Sequence, residues 1–185
     1  MDSVEIHASA PSSIRSRHLV AGPAEPAIAE GCPQHVGRDG NDVLETRFGP
    51  VLLDPDRQIR FRGGLPGFPA VEWFQLDPIP GIESDLLILQ AVDAPGIGFI
   101  TLPLPDDIPV LRQADLTDVS AMLDIAPGEL MILAIVTLAT GHAGIEKFLN
   151  LRAPLFIDVR RKLGAQVVLA DASYPLRYHL QCPIG

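Results

Sequence analysis

From Val43 onward the chain is cut by glycine and proline into short runs that are either apolar or alternating, and this punctuation most limits the folds open to it. Eighteen prolines and sixteen glycines in 185 residues imply many turns. Gln58-Ile59-Arg60-Phe61-Arg62 has the two-residue period of a half-buried strand, with Ile59 and Phe61 inward and three polar side chains outward, and it ends at Gly63-Gly64. Leu44 to Phe48, a Gly49-Pro50 turn and Val51 to Leu53 read as a hairpin. Leu86 to Val92 and Leu130 to Leu138 are nearly continuous apolar runs of strand length, as expected for core strands buried on both faces.

Further strands are expected at Val71–Leu76, Gly98–Leu102, Phe148–Leu151, Leu155–Val159, Ala165–Leu169 and Leu176–Leu180. Between them Leu116, Val119 and Leu123 recur at helical spacing, so one short amphipathic helix is expected, capped at Asp115 and stopped by Pro127-Gly128. The implied fold class is all-β: a small closed or partly closed β-barrel-like fold of about ten short strands with one short helix. It would occupy residues 43–185. Residues 1–42, rich in Ala, Pro, Ser and Gly and without either hydrophobic period, read as a flexible tail that cannot offset its ordering entropy.

Charge narrows the function. The net charge is −9, and residues 70–130 hold eleven acids against Arg112 alone, whereas residues 131–185 carry six bases against three acids. Such a midsection repels phosphate backbones, so direct nucleic-acid binding is not expected and a basic protein partner fits better. The simpler reading is a solvated acidic face. The start of the chain has no basic region followed by an apolar stretch, and the longest apolar run is about half the ~20 residues of a membrane span, so a cytoplasmic protein that does not enter membranes is expected.

Catalytic signatures are weak. Arg62-Gly63-Gly64-Leu65-Pro66-Gly67-Phe68 lacks phosphate-loop spacing, and Pro66 removes a backbone donor, which favours a tight turn. The five histidines are scattered, Cys32 and Cys182 form no ligand pair, and Ser120 and Ser173 lack a nucleophile context. Glu146-Lys147 look like loop residues, and Asp106-Asp107 sit between prolines as an exposed turn. Trp73-Phe74 reads as core with one ring at the rim, and the aromatics do not form a base-stacking platform. No catalytic, metal or cofactor site is expected.

Six blocks in register resemble the flagellar assembly factor FliW family: Thr46-Arg47-Phe48-Gly49, Gly64-Leu65-Pro66-Gly67-Phe68, Leu89-Gln90-Ala91-Val92-Asp93-Ala94-Pro95, Ala134-Ile135-Val136-Thr137-Leu138, Asn150-Leu151-Arg152-Ala153-Pro154 and Tyr174-Pro175-Leu176-Arg177. The resemblance implies a monomeric, non-enzymatic β-barrel that binds flagellin and antagonises the translational repressor CsrA by sequestration. It places partner contacts at Glu83, Asp85, Gln90 and Asp93, with Asp106 and Asp107 extending the acidic surface. The chain departs from the family pattern in its N-terminal extension, in Tyr178 after Arg177, and in the Ala139-Thr140-Gly141-His142 turn. Two alternatives stand beside this reading: a small-barrel enzyme whose site is assembled from distant residues, and a module that recruits peptides by edge-strand addition.

Overall fold

The computed structural model describes residues 42–104, 110–126, 128–141 and 144–180. The expected tail before residue 42, Asp106-Asp107, Pro127 and His142 lie outside the described residues. The strands are β1 (Val43–Thr46), β2 (Gly49–Leu52), β3 (Gln58–Phe61), β4 (Trp73–Pro78), β5 (Leu87–Ala91), β6 (Gly98–Pro103), β7 (Leu130–Gly141), β8 (Gly144–Asp158), β9 (Leu163–Gln166) and β10 (Tyr178–Leu180). One helix, α1, spans Gln113–Leu123.

β8, β7, β6, β5, β4, β3 and β9 pair in that order, and β9 returns to β8, so seven strands close into a barrel. Every pairing in it is antiparallel except β3 with β9. β1 and β2 form a separate hairpin, and β10 adds to the distal half of β8. Closure pairs the two end strands, β8 and β9, that an open sheet would leave as edges.

Both faces of the barrel strands are buried, as the apolar runs imply. Consecutive residues enter different clusters: Ile88 and Ile132 pack with Leu116 and Val119 of α1, while Leu89 and Leu133 pack with Phe61 and Phe74. Phe74 is fully buried and meets Phe61 edge to face at 5.4 Å, whereas Trp73 is half-buried with the Arg60 guanidinium over its ring.

Several expectations are corrected. The first hairpin turns at Arg47-Phe48, and Gly49-Pro50 belong to β2. Thr46 closes this turn, its hydroxyl donating to the Gly49 carbonyl at 2.7 Å while accepting the Phe48 N–H at 3.1 Å. Gln58 is buried with Ile59 and Phe61 instead of facing outward. The runs 148–151 and 155–159 are one strand, β8, because a bulge absorbs the break: Leu133 faces Leu155 but Ile135 faces Asn150. There Asn150 Oδ1 accepts the N–H groups of Arg152 and Ala153 at 3.1 Å each, which the broken ladder would orphan. Glu146 and Lys147 therefore lie on a strand.

β9 ends at Gln166, but the next residues remain stitched to the bulge: the Val167 N–H donates to Pro154 O at 3.1 Å and that of Leu169 to Arg152 O at 2.9 Å.

α1 begins two residues before Asp115. Its N-cap, Arg112, offers no side-chain cap, and the Tyr174 hydroxyl accepts the Arg112 N–H at 2.9 Å instead. The same hydroxyl donates to Asp115 Oδ2, and Arg112 Nε reaches that carboxylate at 3.0 Å. The Tyr174 hydroxyl and then the Arg112 guanidinium hold the Asp115 carboxyl below the usual carboxylate range. The helix ends before Pro127, with Asp124 in the left-handed region at φ 54°.

Candidate partner-binding surface

The acidic midsection is thinner on the surface than in the sequence, because much of it is neutralised by arginines, most of them from outside the segment. Asp77 pairs with Arg57 at 2.8 Å, Glu72 with Arg60 at 2.9 Å, Asp115 with Arg112 at 3.0 Å, Asp124 with Arg161 at 3.0 Å and Glu129 with Arg160 at 3.6 Å. Asp77 is buried and also accepts Gln75 Nε2 at 2.7 Å, while Gln75 ties the β2 end through Leu52 O and the Asp54 N–H. Asp77 is thereby satisfied within the fold, whereas the exposed pairs add little to stability. Among the described residues of this stretch, Glu83, Asp85, Asp93 and Asp118 are exposed and make no ion pair.

Carboxylates with displaced pKa values belong to the neutralised set. Glu72 is held below its ordinary range by the Gly63 N–H first and the Arg60 side chain second, and Asp171 chiefly by the Ser173 N–H. Each cause is a donor that favours the ionised form and fixes a turn or corner, which is a structural use of charge.

The expected contact residues are not brought together. Glu83 and Asp85 lie in the loop entering β5, and Asp93 lies in the loop leaving it, so the length of the strand separates them. A five-residue strand spans roughly 17 Å. Asp106 and Asp107 fall outside the described residues.

Gln90 is a correction: it is fully buried, and its Nε2 donates to the carbonyls of Pro95 at 3.1 Å and Ile97 at 2.8 Å. It shapes the turn that presents Asp93 and cannot itself touch a partner.

Sequence reading missed the apolar company of these acids. Ile82, beside Glu83, is 56% exposed, and Val43 and Leu52, directly paired across the β1–β2 hairpin, are 54% and 53% exposed. The Gly49 backbone lies against Pro80, where a Cβ would sit 3.5 Å from the ring, so the turn end of the hairpin borders the acidic loop, with Val43 and Leu52 at its other end. Exposed apolar side chains rimmed by unpaired charge are the composition of a protein-docking surface. Among the described residues no group of three His, Cys, Asp or Glu side chains could hold a metal ion.

A family model described as FliW protein matches residues 42–180, three-quarters of the chain and the whole of the barrel. The chain belongs to the FliW family. A relative from Clostridium kluyveri named flagellar assembly factor FliW is 33% identical over 141 residues, covering 74% of this chain and 94% of its own length. Another of that name from Magnetococcus marinus is 32% identical over 133 residues, covering 71% of this chain and 81% of its own. The crystal structure of a flagellar assembly factor FliW matches with a TM-score of 0.60 at 25% identity, over 75% of this chain and 96% of that one.

The blocks that carry the likeness to FliW sit at corners and seams. They form the Thr46 turn, the Gly64 turn, the Gln90-braced loop, β7 opposite the bulge, the Asn150 bulge and the Tyr174 anchor of α1.

Proposed function

We propose that this chain is a cytoplasmic flagellar assembly factor that binds flagellin and, when flagellin is scarce, sequesters the translational repressor CsrA. The observation that carries the reading is the FliW match across residues 42–180, with relatives named flagellar assembly factors. The unpaired Glu83 and Asp85 beside exposed Ile82 support a basic partner: their charge steers the approach, and the apolar side chain supplies a contact to desolvate. Release and capture need only one population of binder shared between two ligands, each excluding the other.

The test is calorimetric titration of purified CsrA at low ionic strength into the parent chain and into Asp85→Lys, Asp93→Lys and Asp107→Lys variants. Asp85→Lys is expected to weaken binding about tenfold, through loss of steering and like-charge contact. Unchanged affinity in all three variants would refute the assignment of the contact to these acids.

One observation favours edge-strand addition as a second mode of docking. Among the described residues β6 pairs β7 only from Leu133 to Ile135, so β7 from Val136 to Gly141 is paired there on one side alone, and Leu138 and Ile145 are exposed.

A further inference from the structure

The distal half of β7 carries an edge without the devices that keep sheets from pairing with one another. Beyond Ile135 the strand leaves β6 and continues as Val136-Thr137-Leu138-Ala139-Thr140-Gly141, with β8 on one side and, among the described residues, no backbone partner on the other. Natural edges are blunted by lysine, proline, a bulge or an inward-pointing charge. This segment holds no charged residue and no proline, its Val, Thr and Leu side chains suit a pleated sheet, and the register shift of β7 lies before it, between Leu133 and Ile135.

β8 and β10 extend the same sheet behind this edge. Directly paired residues share a face, so Val136, Leu138 and Thr140 stand with Leu149, Lys147 and Ile145 of β8, and these in turn with Tyr178 and Leu180 of β10. On that face Val136 and Leu149 belong to the core and Leu180 packs against it, whereas Leu138 is 41% and Ile145 71% exposed. An apolar strip therefore runs out of the core to the edge of the sheet.

We propose that this edge binds a second copy of the chain, the two β7 strands pairing antiparallel across a two-fold axis. A strand related to itself by such an axis presents the same groups to both sides and is in register by construction. With the axis at Leu138, near the centre of the segment, the two Leu138 side chains meet, Val136 of each protomer faces Thr140 of the other, and Thr137 faces Ala139. Charge does not oppose the match, although the whole chain carries −9: the nearest charged side chains, Glu146 and Lys147, sit one strand back on β8, and Glu146 folds over Gly141 at the tip. The two Lys147 residues would stand three strand spacings apart, roughly 14 Å, beyond the screening length of about 8 Å. Such a pair departs from the monomer that the family resemblance implies, and Ala139-Thr140-Gly141 is a stretch in which the chain departs from the family pattern. Self-pairing goes beyond docking by flagellin or CsrA and needs neither.

The experiment is sedimentation velocity of the full chain, with no partner present, from about 1 μM to about 1 mM. A shift from monomer to dimer is expected, with a dissociation constant of about 10–100 μM, since so short a seam falls below the area of a standard interface. Added salt should leave it nearly unchanged, because no charge lies at the seam. Leu138→Glu and Leu138→Lys, each at an exposed position, set like charges face to face across the axis, and each is expected to weaken self-association at least tenfold. An equimolar mixture of the two variants brings opposite charges together and is expected to dimerise at least as well as the parent, which also shows both variants to be folded. The proposal is overturned by a parent chain that stays monomeric at about 1 mM, by Leu138→Glu associating like the parent, or by a mixture of the folded variants no more associated than either alone.

Discussion

Gly64→Ala is expected to lower stability by about 3 kcal/mol or more, an unusually large effect for adding one methyl group. Gly64 sits at φ +68°, a conformation that itself penalises an L side chain. A Cβ there would lie 2.2 Å from the Phe68 carbonyl oxygen and 2.9 Å from that of Val71. That backbone has no freedom to retreat: the Phe68 N–H is bonded to Leu65 O at 2.7 Å, Val71 N–H to Phe68 O at 3.1 Å, and Leu65 is buried in the core beneath. Gly67 is the internal control. It also has positive φ, at +91°, but open space where a Cβ would go, so Gly67→Ala is expected to cost only about 1 kcal/mol. Urea unfolding of the two variants separates the effects, and equal midpoints would contradict this account of the turn.

Gly164→Ala is expected to be the second most damaging of the small changes, by about 2–3 kcal/mol, because it acts on the strand that closes the barrel. Gly164 pairs with Phe61 on β3 and with Ile157 on β8, so it lies on the seam itself. An added Cβ would come within 2.4 Å of the Phe61 ring, which is 1% exposed and held edge to face against Phe74. A surface side chain could swing aside, but this ring is locked in the core. Phe61→Leu made in the same chain should relieve the clash, so the double variant is expected to be more stable than the sum of the two single losses allows. Additive losses in a double-mutant cycle by chemical denaturation would show that the ring and the glycine do not press on each other.

These two glycines mark what the sequence makes legible and what it hides. Short apolar runs at Leu86–Val92 and Leu130–Leu138 announce strands buried on both faces because a half-exposed strand would alternate, and both supply the core, although the second emerges at Thr137 and Leu138. The Gly64 turn is legible from composition. Closure of the barrel through the parallel β3–β9 pair is not, since it joins Arg60 to Leu163 with no local signal for either. Composition points to a turn at Gly49-Pro50, but the Thr46 hydroxyl bonds set it two residues earlier, at Arg47-Phe48. The bulge in β8 hides for a related reason: its compensation is an asparagine side chain folding back onto the next two amides, a purely three-dimensional solution.

The candidate surface was legible in charge and illegible in arrangement. Eleven acids in one segment suggest a single acidic face, yet pairs such as Asp124 with Arg161 and Asp77 with Arg57 form between residues far apart in the chain. The family resemblance marks Gln90 as a contact, yet it is the one polar residue in an apolar run. That position is the reason it is buried, with its amide bracing the loop from within. Ile82, Val43 and Leu52 carry no sequence signal of exposure, because an apolar residue on a strand or loop is by default read as core.

Central to the account is one barrel shared between two protein ligands. Its most direct measurement is a competition titration in which purified flagellin is added to the preformed complex of this chain with CsrA, with free CsrA followed by size-exclusion chromatography. Stoichiometric release of CsrA as flagellin binds is the expected result. CsrA that fails to bind the chain at all, or stays bound while flagellin saturates it, would contradict the account.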